Sequence, residues 1–86
     1  MSVKLVYFAW LRERFGISEE QVDLPNTVQT ISDLFDWFET RDEAFANVME
    51  HRDILQVAID QTHVQDRNTP IGDAKEIAIF PPMTGG

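Results

Sequence analysis

Thr30-Ile31-Ser32-Asp33-Leu34-Phe35-Asp36-Trp37-Phe38 is the stretch that decides the fold. Its apolar residues Ile31, Leu34, Phe35 and Phe38 recur at i, i+3, i+4 and i+7, which gathers them on one face of a helix. Asp33, Asp36 and Glu39 fall largely away from that stripe. Trp37 lies at its edge and is read as core rim rather than as a binding aromatic. Thr30, followed three residues on by Asp33, has the form of a capping box with Asp in the usual Glu place. Toward the N-terminus the period changes to two. Gln21-Val22-Asp23-Leu24 alternates polar and apolar until Pro25-Asn26 ends it. Val3 to Phe8 is rich in β-branched and aromatic residues and reads as a strand. Between them, Ala9 to Phe15 makes a short helical turn stopped by Gly16. So short an excursion makes the two strands antiparallel neighbours.

Toward the C-terminus, a second short helix is expected from Asp42, with Phe45, Val48 and Met49 on one face. Ile54 to Asp60 returns to strand character, with Leu55, Val57 and Ile59 sharing one parity. Asp60-Gln61-Thr62-His63 reads as a hairpin turn leading to a short strand at Val64. Thr69-Pro70-Ile71-Gly72-Asp73 is a turn-rich link. Ile77-Ala78-Ile79-Phe80 is the last strand, and Pro81-Pro82 stops it because neither residue donates a backbone hydrogen bond. The first and last long strands are both strongly apolar, so they are expected side by side at the centre of a mixed sheet, with the main helix across one face. That order is an α+β, β-grasp (ubiquitin-like) arrangement. It divides the chain into a domain over residues 1–80 and a projecting C-terminal tail over 81–86.

Side-chain alternation along the two central strands separates a core side from an open side. Val3, Leu5 and Tyr7 share one side of the first strand; Lys4, Val6 and Phe8 share the other. Lys4 is costly in a buried layer, so the Val3–Leu5 side is assigned to the core. Val6, Phe8, Ala78 and Phe80 are then left on the open face. Two aromatics there, near the root of the tail, form an apolar patch of the kind that marks interfaces. Loops folding over the patch are the competing expectation.

Composition narrows the function classes. The chain has 86 residues, 43% hydrophobic and 26% charged, enough for one domain with a modest core. It has no cysteine, which removes disulfides, thiolate metal sites and cysteine nucleophiles together and suits a cytoplasmic protein. Fifteen acidic residues against seven Lys and Arg give −8. Phosphate backbones and anionic membranes call for the opposite sign, so no nucleic acid and no membrane is expected as partner. A basic protein surface fits. No apolar run is long enough for a membrane span. His51 and His63 lie far apart and are read as surface residues. Phosphate-loop, dinucleotide and zinc-hydrolase motifs are absent, and Ser2, Ser18 and Ser32 lack a nucleophile motif. Trp10 is a further candidate binding aromatic. No metal ligand set is proposed, and no enzyme with its own side-chain machinery is expected.

The chemistry is expected in Phe80-Pro81-Pro82-Met83-Thr84-Gly85-Gly86. At an average glycine usage, two adjacent terminal glycines arise by chance about once in two hundred chains. Pro81 and Pro82 favour an extended exit from the sheet. Gly85 and Gly86 carry no Cβ, so the tip can thread a narrow channel. A terminal glycine carboxylate is sterically open. Attack on the α-phosphate of ATP converts it into an acyl-adenylate, and a sulfur donor displacing AMP leaves a thiocarboxylate. The sulfur then rides on the main-chain terminus, and no cysteine is needed.

These residues resemble the small, sulfur-carrier subunit family of molybdopterin synthase. The likeness spans nearly the whole chain. It rests on the opening strand running into Phe8-Ala9-x-x-Arg12-Glu13, on Thr30-x-x-Asp33-Leu34, and on the ending from Ile77 to Gly86. Gly72-Asp73-Ala74-Lys75-Glu76 and Pro25 to Gln29 depart from the family pattern in loop length. The resemblance implies a carrier rather than an enzyme on its own, the subunit of a sulfurtransferase complex. Gly86 is the implied working residue, with Pro81, Pro82, Met83, Thr84 and Gly85 threading the tail. Phe8, Phe80 and Val6, with Arg12 from the opening motif, are the expected partner contacts. No cofactor stays bound; ATP is used by a separate adenylating enzyme. The implied partner is the large synthase subunit, in a heterotetramer, where sulfur passes to cyclic pyranopterin monophosphate. Two alternatives share the activation step: a sulfur carrier for another pathway such as thiamine biosynthesis, and a ubiquitin-like modifier forming isopeptide bonds through Gly86.

Overall fold

The computed structural model describes residues 2–82. Five strands form one mixed sheet: β1 (Ser2–Tyr7), β2 (Glu19–Asp23), β3 (Gln56–Ile59), β4 (Thr62–Val64) and β5 (Glu76–Phe80). The helices are α1 (Trp10–Phe15), α2 (Ile31–Glu39) and α3 (Glu43–Met49), with a 3₁₀ turn at Arg52–Ile54. The sheet order is β2-β1-β5-β3-β4. β1 pairs antiparallel with β2, and parallel with β5 in the register Leu5–Ile77 and Tyr7–Ile79. The first and last strands are thus central neighbours, as their shared apolar character requires.

The helical stripe lands as its spacing dictates. Ile31, Leu34, Phe35 and Phe38 are fully buried against Leu5, Tyr7, Ile77 and Ile79 from the covered side of β1 and β5. The α2 start carries the full capping box. The Thr30 hydroxyl accepts from Asp33 N at 3.2 Å, and the Asp33 carboxylate accepts from Thr30 N at 3.2 Å. This satisfies donors that an uncapped helix leaves to water. The α3 start is capped by Asp42, which accepts from Phe45 N at 3.0 Å. Phe45, Val48 and Met49 turn inward. The Phe45 ring stacks on Phe15 with centroids 3.8 Å apart. At the end of α1, Gly16 takes φ 78°, the left-handed cap that a residue without Cβ adopts freely.

At the rim, Tyr7 donates to Glu20 at 2.6 Å, and the Arg41 guanidinium holds both Glu20 carboxylate oxygens. Arg41 also lies over Trp37 at 5.0 Å, so Trp37 is half-buried core rim, as expected from its place at the stripe edge. Burial raises the Tyr7 hydroxyl well above the ordinary tyrosine range, and the Glu20 carboxylate beside it adds to this. Burial pushes the Glu20 carboxyl upward, but its bonds to Arg41 and Tyr7 outweigh that and hold it below its ordinary value.

Two sequence expectations shift. The strand expected from Ile54 begins at Gln56, because Arg52–Ile54 closes a 3₁₀ turn with Leu55 N donating to Arg52 O at 3.2 Å. The hairpin turn is tighter than Asp60 to His63. Asp60 and Gln61 take φ 48° and 72°, the pair of positive values of a two-residue primed turn, and Thr62 and His63 already belong to β4. The Asp60 carboxylate secures the turn by accepting from Lys75 N at 2.9 Å and Glu76 N at 3.0 Å.

Candidate functional site

The covered side of the sheet is filled by α2 and its neighbours, and the opposite side stays open. Strand registers set the open side in rows: Val6 beside Ala78, Ala78 beside Ala58, Ala58 beside His63. Above them stand Phe8, at the end of β1, and Phe80, paired with Gln56. Phe8 is 47% exposed, and its ring meets Phe80 edge-to-face at 6.4 Å. Val6 and Phe80 are half-buried and Ala78 is buried. The expected patch of Val6, Phe8, Ala78 and Phe80 is therefore assembled on one face, and Phe8 is not covered by a loop.

Beside the two rings runs a groove of about 730 Å³, lined by Phe8, Ala9, Trp10, Ile54, Phe80, Pro81 and Pro82. Ala9 takes φ 56° and ψ −132°, a backbone state unusual for a residue with a Cβ. It turns the chain sharply, leaving Phe8 outward and starting α1 with Trp10. Trp10 packs edge-to-face on His51 at 6.0 Å, with His51 itself at the surface. The opposite wall is Ile54, 49% exposed, presented by the 3₁₀ turn. Strand periodicity missed Ile54 as a surface residue, because it placed the residue inside β3. The Arg52-Asp53 pair just before it was the available signal of a turn.

Of the expected partner contacts, Phe8 and Phe80 line the groove, and Val6 lies on the sheet beside them. Arg12 is exposed on α1 and is not among the lining residues. Pro81 and Pro82 continue from β5 along the groove wall, both half-buried. Met83, Thr84, Gly85 and Gly86 lie outside the described residues. Among the described residues no group of three or more His, Asp or Glu gathers as a metal site. No helix among them is long and apolar enough to cross a membrane.

Chemically, this end of the domain offers an apolar, partly aromatic seat with the chain leaving from its edge. The net charge of −8 on the whole chain suits a basic counterpart. It can bind and orient.

Comparison with known proteins agrees with that arrangement. The profile of the ThiS family matches residues 5–86. The molybdopterin synthase sulfur carrier subunit of Escherichia coli (strain K12) is 33% identical over 86 residues, covering 98% of this chain and 99% of that one. Among solved structures, SAMP1 from Haloferax volcanii superposes with a TM-score of 0.70 at 23% identity, over 100% of both chains. The complex of subunits 1 and 2 of molybdopterin-converting factor from Helicobacter pylori 26695 contains a chain with a TM-score of 0.66 at 20% identity, over 100% of both. At these identities the two structures speak for the β-grasp fold.

Proposed function

The chain belongs to the ThiS family, together with the sulfur carrier subunits of molybdopterin synthase, and on that footing we propose that it carries sulfur to a molybdopterin synthase on the carboxylate of Gly86. The observation that carries this reading is the run of the central strand β5 straight into Pro81-Pro82 at the Phe8–Phe80 groove, with Gly85-Gly86 shortly after. The rigid part of the molecule thus sets where the tail starts, and the seat for a partner lies at the same spot.

The chemistry has three steps. A carboxylate oxygen of Gly86 attacks the α-phosphorus of ATP on an adenylating enzyme, and pyrophosphate leaves. The terminal sulfur of a persulfide attacks the acyl carbon, and AMP leaves. A thiol then cleaves the resulting acyl disulfide, taking the donor sulfur into a new disulfide and releasing the thiocarboxylate. The loaded carrier docks on the large synthase subunit through Phe8, Phe80 and Val6. A stretch such as 83–86, fully extended, spans about 13 Å, which sets the depth at which the partner's catalytic groups must lie. Sulfur passes there to cyclic pyranopterin monophosphate, and two donations complete the dithiolene. The assembly is a large-subunit dimer flanked by two carriers. The catalytic side chains belong to the large subunit, so this chain needs only a stable seat and a threadable tip.

Intact-mass measurement tests the proposal. Incubation with ATP, the adenylating enzyme and a sulfur source should replace one oxygen by sulfur at the C-terminus. Removing Gly86, or adding one residue after it, should abolish loading and leave the fold intact, because the core cluster is assembled from residues between Val3 and Ile79. Full synthase activity in either variant would refute it. The modifier alternative shares the first step and diverges in the fate of the activated carboxyl, so lysine conjugates in place of free thiocarboxylate would favour that reading.

A further inference from the structure

His63 occupies an unexpected place for a polar side chain. It pairs with Ala58 across β3–β4, and Ala58 pairs in turn with Ala78. Two small residues in a row leave room for the imidazole to lean across β3, and its ring reaches Phe80 with centroids 5.9 Å apart. Phe80 is thus flanked by Phe8 on one side and His63 on the other. The apolar patch consequently has a nitrogen heterocycle as its third ring.

The hydrogen bonds around His63 fix its chemistry. The Gln56 amide nitrogen donates to Ile54 O at 3.5 Å, which turns the amide oxygen toward β4. That oxygen sits 2.8 Å from His63 Nε2. In this orientation the amide oxygen accepts, which assigns the Nε2–H tautomer to the neutral ring. In the neutral ring Nδ1 then bears an unshared pair, and no side chain among the described residues bonds it. Phe80 lines the groove and also meets the His63 ring, so the groove and the open face share this residue. Charged groups on this face are Lys4 with Glu19 and Glu76, linked at 3.6 and 3.8 Å. β3 and β4 contain no Asp, Glu, Lys or Arg.

We propose that His63 is a specificity-determining residue of the open face: its Nδ1 accepts a hydrogen bond from an Arg or Lys on the basic protein surface that covers Phe8 and Phe80. This rests on the reading above, in which that surface belongs to the large synthase subunit. The net charge of −8 favours a basic partner. A buried donor on the partner must find an acceptor, and Nδ1 is the acceptor placed within the aromatic patch.

The test is calorimetric titration of the full-length carrier into the large synthase subunit of the same organism. Three carriers are compared: wild type, His63→Leu and His63→Asn. His63→Leu should bind roughly fivefold more weakly, with the partner's donor unmet. His63→Asn places an amide oxygen near the Nδ1 position and should match wild type. Circular dichroism confirms that each carrier stays folded. If His63→Leu binds as tightly as wild type, or His63→Asn weakens as much as His63→Leu, the role of His63 is overturned and the docking face survives. If the wild type does not bind, the proposed function itself falls, and this inference with it.

Discussion

The two sides of the same sheet are built from adjacent residues of the same strands, and they are completed differently. On the covered side, Leu5, Tyr7, Ile77 and Ile79 meet the α2 stripe and are sealed within the chain. On the open side, Val6, Phe8 and Phe80 are equally apolar in type, yet nothing in residues 2–82 closes over them, and Phe8 remains 47% exposed. β2 shows what an ordinary exposed strand looks like here: Glu19, Gln21 and Asp23 line its outward side. The apolar open side of β1 and β5 is therefore not a by-product of strand composition. On the proposed reading, it is a surface whose second half is supplied by another molecule.

Substitutions on the two sides should accordingly affect different measurements. Phe38→Ala removes a ring from the sealed side, where it touches Tyr7, Phe15 and Phe45. It should cost about 3–5 kcal/mol of folding stability by denaturant titration. If it unfolded the protein no more easily than a surface change, the covered side would not be the core. Phe80→Ala should weaken the complex with the large subunit by about 2 kcal/mol while changing monomer stability little. A variant that melts early yet binds normally would place Phe80 in the core and erase the distinction between the sides.

Two smaller effects sharpen the boundary. The Tyr7 hydroxyl projects from the sealed side to the Glu20–Arg41 pair at its rim, and Glu20→Gln should cost about 1.5 kcal/mol. The Glu20 carboxyl is held below its ordinary value in the fold, so the stabilisation is fully present above the ordinary carboxylate range. It is lost as pH falls through the folded value. Thermal melts taken downward from neutral pH should show this loss in the wild type and a flatter profile in Glu20→Gln. Thr30→Ala removes one cap acceptor from α2 and should cost about 1 kcal/mol, read as a lower Tm. Partner affinity should be unchanged, because α2 lies behind the sheet.

The sealed side was legible in the sequence because burial there imposes a period. Ile31, Leu34, Phe35 and Phe38 could face inward together only as a helix, and Thr30 with Asp33 marked where it begins. The alternation of Val3 to Phe8 likewise predicted both sides of β1, and the polarity of Lys4 chose between them. The open side was legible only in part. Phe8 and Phe80 were visible from parity, but Ile54 was absorbed into a strand, since a lone isoleucine beside Leu55 carries no mark of exposure. His63 was read as turn because Asp-Gln is a weaker hairpin signal than Asn-Gly, so its contact with Phe80 had no trace in local pattern. That contact depends on Ala58 being small and on a pairing across the sheet, and neither is a property of any short window. Arg12, carried by motif alone, came to lie on α1 outside the groove. The reading of the tail rests on composition and order alone, since residues 83–86 lie outside the described residues.

The parallel pairing of β1 with β5 has a consequence for synthesis. β5 is made last, yet it stands in the middle of the sheet, between the first strand and the β3–β4 hairpin. Until residues 76–80 emerge from the ribosome, β1 lacks its inner neighbour and the stripe of α2 has only part of a floor. Such long-range closure makes folding wait for residues 76–80. A chain broken off before residue 76 would therefore be left unfolded and open to proteolysis, and would not compete as a compact decoy at the partner's docking surface. The position of one strand thus acts as a length check: only chains that reach the root of the tail become stable enough to be offered to the partner.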